Sequence, residues 1–431
     1  MIENFVRDFI EKNGLPKYIY NGRNKSFVPG VDSVYYGGPL WDEDELIAMT
    51  KSIFEGDWIV SGEKVTRFEI EFSRRINLGY SLMVNSGSSA NLIMIAALKK
   101  HLGWDDKSEI IVSPVGFPTT ISTIIQNNLI PIFADITYED LNFSLYEVEK
   151  KITSNTKAIF VSPVLGNPPN IDLLIEIAQK HNIKLILDGC DSLGSTWNNK
   201  QIYEYFYASS CSFYPAHHIT TGEGGMISSN DEKLIDLARS FAWWGRDCYC
   251  NGKANLLSNG TCKKRFSCWI EKVGVQIDHK YYFTNIGYNL KPLDLQGAIG
   301  SVQLKRLDFI HEKRRKLKTR FEELLIQIPG VRVISEQNNK SNSSWFGVPI
   351  VCESPDLKIK LVSYFESNKI QTRNYFAGNI LLHPAYIEFG DPDSFPNASK
   401  VLKDVFFLGC SPSLNDDAIK YVEERIISFK A

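Results

Sequence analysis

The chain has 431 residues, with 48 Lys and Arg against 50 Asp and Glu, a formal net charge of -2 and 43% hydrophobic residues. That length exceeds one small core and suits a large domain with a smaller one, and the composition is that of a folded globular protein. Near-neutral charge, with Lys and Arg spread along the chain, excludes the basic footprint of a nucleic-acid or anionic-membrane binder and favours a small-molecule partner.

The start, MIENFVRDFIEKNGLPKYIY, carries acidic residues within an apolar pattern and has no small-residue cleavage site. It reads as an amphipathic helix, not a signal peptide. No apolar run reaches the length of a membrane span. From Ser81 short β-rich runs alternate with helices: SLMV, a helix over about 88–102, EIIVSP, a short helix after Pro118, PIFADI, AIFVSPV, a helix over 171–181, and IKLILD ending at Asp188. This alternation predicts an α/β fold with a mainly parallel sheet covered on both faces, and ligands gathered beyond the carboxyl ends of the strands.

After about Leu304 a long charged amphipathic helix begins, LKRLDFIHEKRRKLKTRFEELL, followed by strand-like VRVIS and WFGVPIV, a helix over 357–368, VFFLG and a closing helix. The expected organisation is an N-terminal segment (1–40), a large cofactor-binding domain (41–310) with a cysteine-containing insertion over about 246–285, and a smaller α+β domain (311–431).

Four segments that follow strands carry small, polar or catalytic residue types. NSGSSAN (85–91) puts glycine and serines at a strand-to-helix turn, where backbone N–H groups, the helix dipole and the Ser88 and Ser89 hydroxyls suit a phosphate; a tight turn with a serine cap fits equally well. Phe117 in GFPTT could stack on a flat ring or serve as a core aromatic. Asp188 could pair with a protonated ring nitrogen or cap a turn. The fourth segment, SFYPAHHITTGEGG (212–225), holds adjacent histidines.

Eight cysteines without a secretion signal indicate reduced thiols or metal ligands in a cytoplasmic protein. Cys211, Cys352 and Cys410 lie in apolar, strand-like surroundings and read as buried thiols. Cys190, Cys248, Cys250, Cys262 and Cys268 are grouped, with 57, 1 and 11 residues separating the first four. The spacing alone leaves iron-sulfur, zinc and free thiols open.

Taken in order, NSGSSAN, GFPTT, the strand-ending Asp188, Ser212 followed by HH and GEGG, and GYNLKPLDLQ resemble the sugar aminotransferase (DegT/DnrJ/EryC1/StrS) family of fold-type I PLP enzymes, from about Tyr35 to the end. The resemblance implies a seven-stranded mixed sheet and a homodimer with active sites at the subunit interface. It also implies that Ser88, Ser89 and Ser212 contact the cofactor phosphate, that Phe117 stacks on the pyridine, and that Asp188 faces its nitrogen. Asn289 would reach the phosphate in the other subunit.

The departure is His217. Family aminotransferases carry here, five residues after the phosphate-binding serine, the lysine that bonds covalently to PLP. A histidine cannot form that bond, so the cofactor would be held non-covalently as PMP, with the imidazole available to move a proton. His218 competes for that role, but its spacing suits a structural histidine. Glu223 reads as structural.

DGCDSLGS, WGRDCYC, TCKKRF, DHKYYFTNIGYNLK and SFYPAHH resemble the iron-sulfur, PMP-dependent CDP-4-keto-6-deoxyglucose 3-dehydratases within that family. That resemblance implies a [2Fe-2S] cluster on Cys190, Cys248, Cys250 and Cys262, with Cys268 as the substitute for the last. It implies reductive loss of the C3 hydroxyl of a nucleotide-linked 4-keto-6-deoxyhexose, with electrons from a separate flavin-containing reductase, for 3,6-dideoxysugars of surface polysaccharide such as O-antigen. Arg373 matches a substrate-side segment and could grip a diphosphate or form a surface pair. The competing readings are a glutamate-dependent dehydratase without metal, an aminotransferase, and a scaffold that has lost its chemistry.

Overall fold

The computed structural model describes every residue except 17, 20–25, 249–264, 337 and 431. Two of the expected cluster ligands, Cys250 and Cys262, therefore lie outside the described residues. The alternating segments form a seven-stranded sheet whose spatial order is Tyr80–Val84, Gly225–Ser229, Ala208–Ser212, Lys184–Asp188, Thr156–Val161, Glu109–Val112, Ile130–Phe133. All adjacent pairs from Ala208–Ser212 onward are parallel, and Gly225–Ser229 runs antiparallel to both of its neighbours. The interior runs IIV, AIFV and LIL are apolar on successive residues because helices cover both faces of the sheet, with the charges Glu109, Lys157 and Asp188 only at their ends.

The helix Gly87–His101 shows how the sequence sets this arrangement. Ser86, not Ser88, is its N-cap, accepting a hydrogen bond from the Ser89 amide at 3.1 Å. Its residues Ala90, Ile93, Met94, Ile95, Ala97 and Leu98 are fully buried or nearly so, as in a helix closed in on several sides. The parallel strands all end at one edge of the sheet. The SFYPAHHITTGEGG turn joins Ser212 to Gly225 at that same edge, where the two residues are directly paired.

A second, antiparallel sheet follows, ordered Val331–Val333, Gly347–Cys352, Val405–Gly409, Thr372–Asn374. One hydrophobic core runs from Leu82, Ile110 and Phe160 of the large sheet to Val348, Ile350 and Phe406 of the small one, so the two sheets are packed through a shared interior. The helix Leu307–Leu325 spans the expected boundary at 310/311. The expected single helix from Leu304 is interrupted: Asp294–Lys305 and Leu307–Leu325 meet at Arg306, whose guanidinium is held by Asp42 at 2.6 Å and Asp44 at 3.0 Å. That anchor turns the chain where periodicity alone would continue it.

The expected N-terminal helix is Ile2–Asn13. Among the described residues no helix is long and apolar enough to cross a membrane. Cys211, Cys352 and Cys410 are buried at 1%, 1% and 0% exposure, as expected of core thiols. Cys268 opens a short antiparallel pair, Cys268–Ile270 with Val275–Ile277.

Candidate active site

At the carboxyl edge of the large sheet a cavity of about 670 Å³ is lined by Ser88, Phe117, Asp188, Cys190, Ser212, His217 and Arg373. Seven of the residues singled out from sequence thus meet in one place. A larger cavity of about 1130 Å³ lies beside the N-terminal helix but contains none of them.

At one end of the site, Ser88 begins the helix after Tyr80–Val84 and its hydroxyl bonds Thr119 at 3.3 Å. The first-turn amides of Gly87 and Ser88 have no carbonyl partner within the helix. Gly87 must be glycine because a Cβ there would stand 2.5 Å from Ser212 Cβ and 3.0 Å from Cys190 Sγ. Its absence lets the helix start, Ser212 and Cys190 close on each other. Helix amides and two hydroxyls converge in a way that suits a phosphate. Ser89 turns away: its hydroxyl faces that of Ser86 at 3.0 Å and it does not line the cavity.

Asp188 is 5% exposed, and its carboxylate accepts from Asn91 Nδ2 at 2.7 Å, Thr120 Oγ1 at 2.7 Å and the Cys190 amide at 3.3 Å. Asn91 is itself fixed by Ser210 Oγ at 2.6 Å. These donors hold an anion that still lines the cavity, the arrangement a protonated ring nitrogen requires. Phe117, 51% exposed, meets Phe376 edge-on at 6.2 Å and keeps a free face for a flat ring. The donor set therefore fits a pyridine phosphate: Ser88, Ser212 and the helix amides for the phosphate, Phe117 for the ring, Asp188 for its nitrogen.

His217 lines the same cavity. Its ring packs at 5.1 Å from that of Phe346, and Nδ1 stands 3.5 Å from Asp191 Oδ1, within ion-pair range but too long for a directed hydrogen bond; the buried nitrogen has no hydrogen-bond partner. Burial, and then the charge of Arg314, lower its pKa to about 3, so the imidazole is a free base at neutral pH. Burial raises the Asp191 carboxyl to about 7, against the stabilising Leu165 amide. A neutral imidazole beside a cavity can take a proton, and a neighbouring carboxyl can offset the charge that results.

His218 points away from the cavity, 3% exposed, with Nε2 3.3 Å from the Ser344 carbonyl oxygen and its ring edge-on to that of His311 at 5.9 Å. His311 Nε2 donates to Leu193 O at 2.8 Å. Burial is the first cause lowering both, His218 well below the usual value and His311 to about 4. An unfolded histidine titrates near 6.5, so as pH falls below that value the unfolded chain takes up protons that the folded one refuses. Stability is therefore complete above about pH 6.5 and is lost toward pH 4, with His311 alone accounting for a loss on the order of 3 kcal/mol. Thermal melts between pH 7.5 and 4.5 should show this fall, and His311→Gln should flatten it; an equal slope in the variant would remove His311 from the account.

Arg373 lines the cavity with its guanidinium stacked over the Tyr36 ring at 4.1 Å, its Nη1 donating to Thr372 O at 2.7 Å and its Nη2 3.5 Å from Gln371 Oε1. Asn289 is exposed outside this cavity, its side-chain oxygen accepting from Lys291 Nζ. Burial, and then the Asp188 charge, push the Cys190 thiol well above its ordinary pKa. Cys248 is 2% exposed. Among the described residues no three His, Cys, Asp or Glu side chains converge as a metal site. Sequence reasoning left out Asp191, Tyr36, Tyr214 and Phe346, all of which line the cavity. Only Asp191 had a signal, as the second acid of DGCDS.

Residues 41–427 match the DegT/DnrJ/EryC1/StrS aminotransferase family. The chain is 36% identical to a dTDP-4-dehydro-2,6-dideoxy-D-glucose 3-dehydratase of Saccharopolyspora spinosa, over 94% of this chain and 88% of that protein. It is 34% identical to the lipopolysaccharide biosynthesis protein RfbH of Salmonella typhimurium, over 94% and 93%. Among solved structures, the GDP-4-keto-6-deoxy-D-mannose 3-dehydratase of Escherichia coli with bound hydrated PLP superposes with a TM-score of 0.78 at 30% identity, covering 92% of this chain and all of that one. The mostly parallel seven-stranded sheet is that of the fold-type I aminotransferase-like enzymes. The chain belongs to the DegT/DnrJ/EryC1/StrS aminotransferase family.

Proposed function

We propose that the protein is a PMP-dependent 3-dehydratase acting reductively on a nucleotide-linked 4-keto-6-deoxyhexose, with CDP-4-keto-6-deoxy-D-glucose as the first candidate. The observation that carries the reading is His217 in the cavity that also holds Ser88, Ser212, Phe117 and Asp188. A side chain unable to bond the cofactor covalently stands among residues suited to hold it.

When bound, PMP supplies an amine for the C4 ketone and a conjugated electron sink. Ser88, Ser212 and the helix amides anchor the phosphate, with Asn289 reaching it from the other subunit of a homodimer. Asp188 would hold a protonated ring nitrogen, and Phe117 would stack on the ring. His217 would be the base that accepts the proton given up at the C4′ carbon, the chemistry that expulsion of the C3 hydroxyl would need. Arg373 holds the diphosphate.

Cys190, Cys248, Cys250 and Cys262 would hold a [2Fe-2S] cluster, which when bound passes electrons singly. Support comes from the cysteine order and from Cys190, which lines the cavity two residues after Asp188. The reading includes a separate flavin-containing reductase and a place in cytoplasmic 3,6-dideoxysugar assembly for surface polysaccharide. The names of the relatives, which include dTDP- and GDP-linked 3-dehydratases, favour the reaction class while differing in the nucleotide.

Protein purified without air should show visible sulfur-to-iron absorption and about two iron atoms per chain. Cys250→Ser should lose reductive turnover and keep dehydration. A colourless, iron-free protein that turns over with glutamate alone would instead identify a redox-independent dehydratase.

A further inference from the structure

The proposed base lies on a turn, and a turn does not by itself hold an imidazole in one orientation. One side chain outside the cavity ties that turn to the rest of the site. Arg314, in the helix Leu307–Leu325, is 0% exposed. Its Nη2 donates to the carbonyls of Ala216 at 3.2 Å and His217 at 3.1 Å, and its Nη1 to those of Phe346 at 3.0 Å and Trp345 at 3.4 Å. Four carbonyls, and no carboxylate among the described residues, receive these bonds.

The two segments so joined are the turn that carries His217 and the strand entry that carries Phe346, whose ring packs against the imidazole at 5.1 Å. Trp345 is held in the left-handed region, φ +40°, which costs a non-glycine residue energy unless its surroundings impose it. Burying a guanidinium is also costly, and its Nε finds no partner. The buried guanidinium and the strained backbone meet where Arg314 Nη1 bonds the Trp345 carbonyl, next to the ring that packs on the base.

We propose that Arg314 is a positioning residue for the base, its planar fork fixing at once the His217 turn and the Phe346 ring so that the imidazole is presented to the cavity in one orientation. Lysine could not replace it, because an ammonium has no rigid fork to span four carbonyls. The titratable and charged groups facing His217 are Tyr214 and His218 on its own turn, Asp191 after the strand Lys184–Asp188, and Arg314 from the helix. The Arg314 cation also opposes a charge on the imidazole. The inference rests on His217 being the base.

Arg314→Met and Arg314→Lys test it in two ways. In the holoenzyme, kcat should fall about a hundredfold in Arg314→Met and about tenfold in Arg314→Lys, with KM within about threefold of the parent. In cofactor-free protein, the His217 imidazole is assigned by NMR as the resonance lost in His217→Asn. It should stay neutral down to about pH 5 in the parent and in Arg314→Lys, and titrate about one unit higher in Arg314→Met.

Folded variants that merely melt earlier, with parental kcat and an unmoved imidazole, would reduce Arg314 to a structural staple and overturn the proposal. If Arg314→Met does not fold, Arg314→Lys decides alone: unchanged kcat contradicts the proposal, and a fall in kcat at constant KM supports it. If His217→Asn keeps full activity, the base assignment fails, and the imidazole titration still reports whether Arg314 acts on that ring.

Discussion

His217→Asn should lower kcat by about 10²–10⁴-fold, the range that a positioned general base supplies, while PMP binds nearly as before. The reason is geometric. His217 lines the cavity with a buried, unpartnered Nδ1 and with the Phe346 ring at its side, whereas the phosphate and ring-nitrogen contacts come from Ser88, Ser212 and Asp188 on other segments. Asparagine keeps the polarity and much of the volume but cannot take a proton. Because burial lowers the His217 pKa to about 3, the parent should show no loss of base at the ordinary histidine value of about 6.5; its acid limb should lie well below. Titration calorimetry with PMP and single-turnover rates against pH check both halves. A variant that binds poorly yet reacts normally once saturated would show that His217 is a binding residue.

Asp188→Asn should be nearly as damaging by a different route. Three donors, from Asn91, Thr120 and the Cys190 amide, converge on this carboxylate. An amide offers one acceptor oxygen, and its NH2 would face a donor, leaving a buried clash of donors costing about 1–3 kcal/mol. A protonated ring nitrogen would also lose its counter-charge, and breaking a buried charge pair costs about 3–5 kcal/mol. PMP affinity should fall about a hundredfold or more, and the melting temperature of the cofactor-free protein should fall as well. Unchanged PMP affinity would mean that the ring nitrogen does not face Asp188.

The parallel sheet was legible because each strand is a short apolar run bounded by turn residues, as IKLILD shows, and its helices follow with ordinary periodicity. The antiparallel strand Gly225–Ser229 was not read as one. GMISS has only two apolar residues, Met226 and Ile227, between glycine and serines, too short a signal by itself, and it is a strand because Tyr80–Val84 and Ala208–Ser212 flank it. The turn at Arg306 was hidden for a similar reason, since its partners Asp42 and Asp44 are far off in the chain.

In the site, the residues that carry a motif were visible, and those that act through space were not. Asp191 and Phe346 come to His217 from two distant segments, while Tyr214 stands three residues before it on the same turn. Arg314 and Arg315 are neighbours in KRRK, yet one is fully buried and the other is not, a difference of about 100° around the helix that composition cannot show. Ser89 shows the converse. A serine-rich turn named it as a phosphate contact, and local capping geometry turned it toward Ser86 instead.

The most direct measurement of the central claim is the structure of the sugar made when the anaerobic protein, PMP, a reductase system and a nucleotide-linked 4-keto-6-deoxyhexose are combined. A non-covalently held cofactor with His217 as the base predicts a product that has lost the C3 oxygen and kept the C4 ketone. A product bearing an amine at C4 with its C3 hydroxyl intact would contradict the account and identify an aminotransferase.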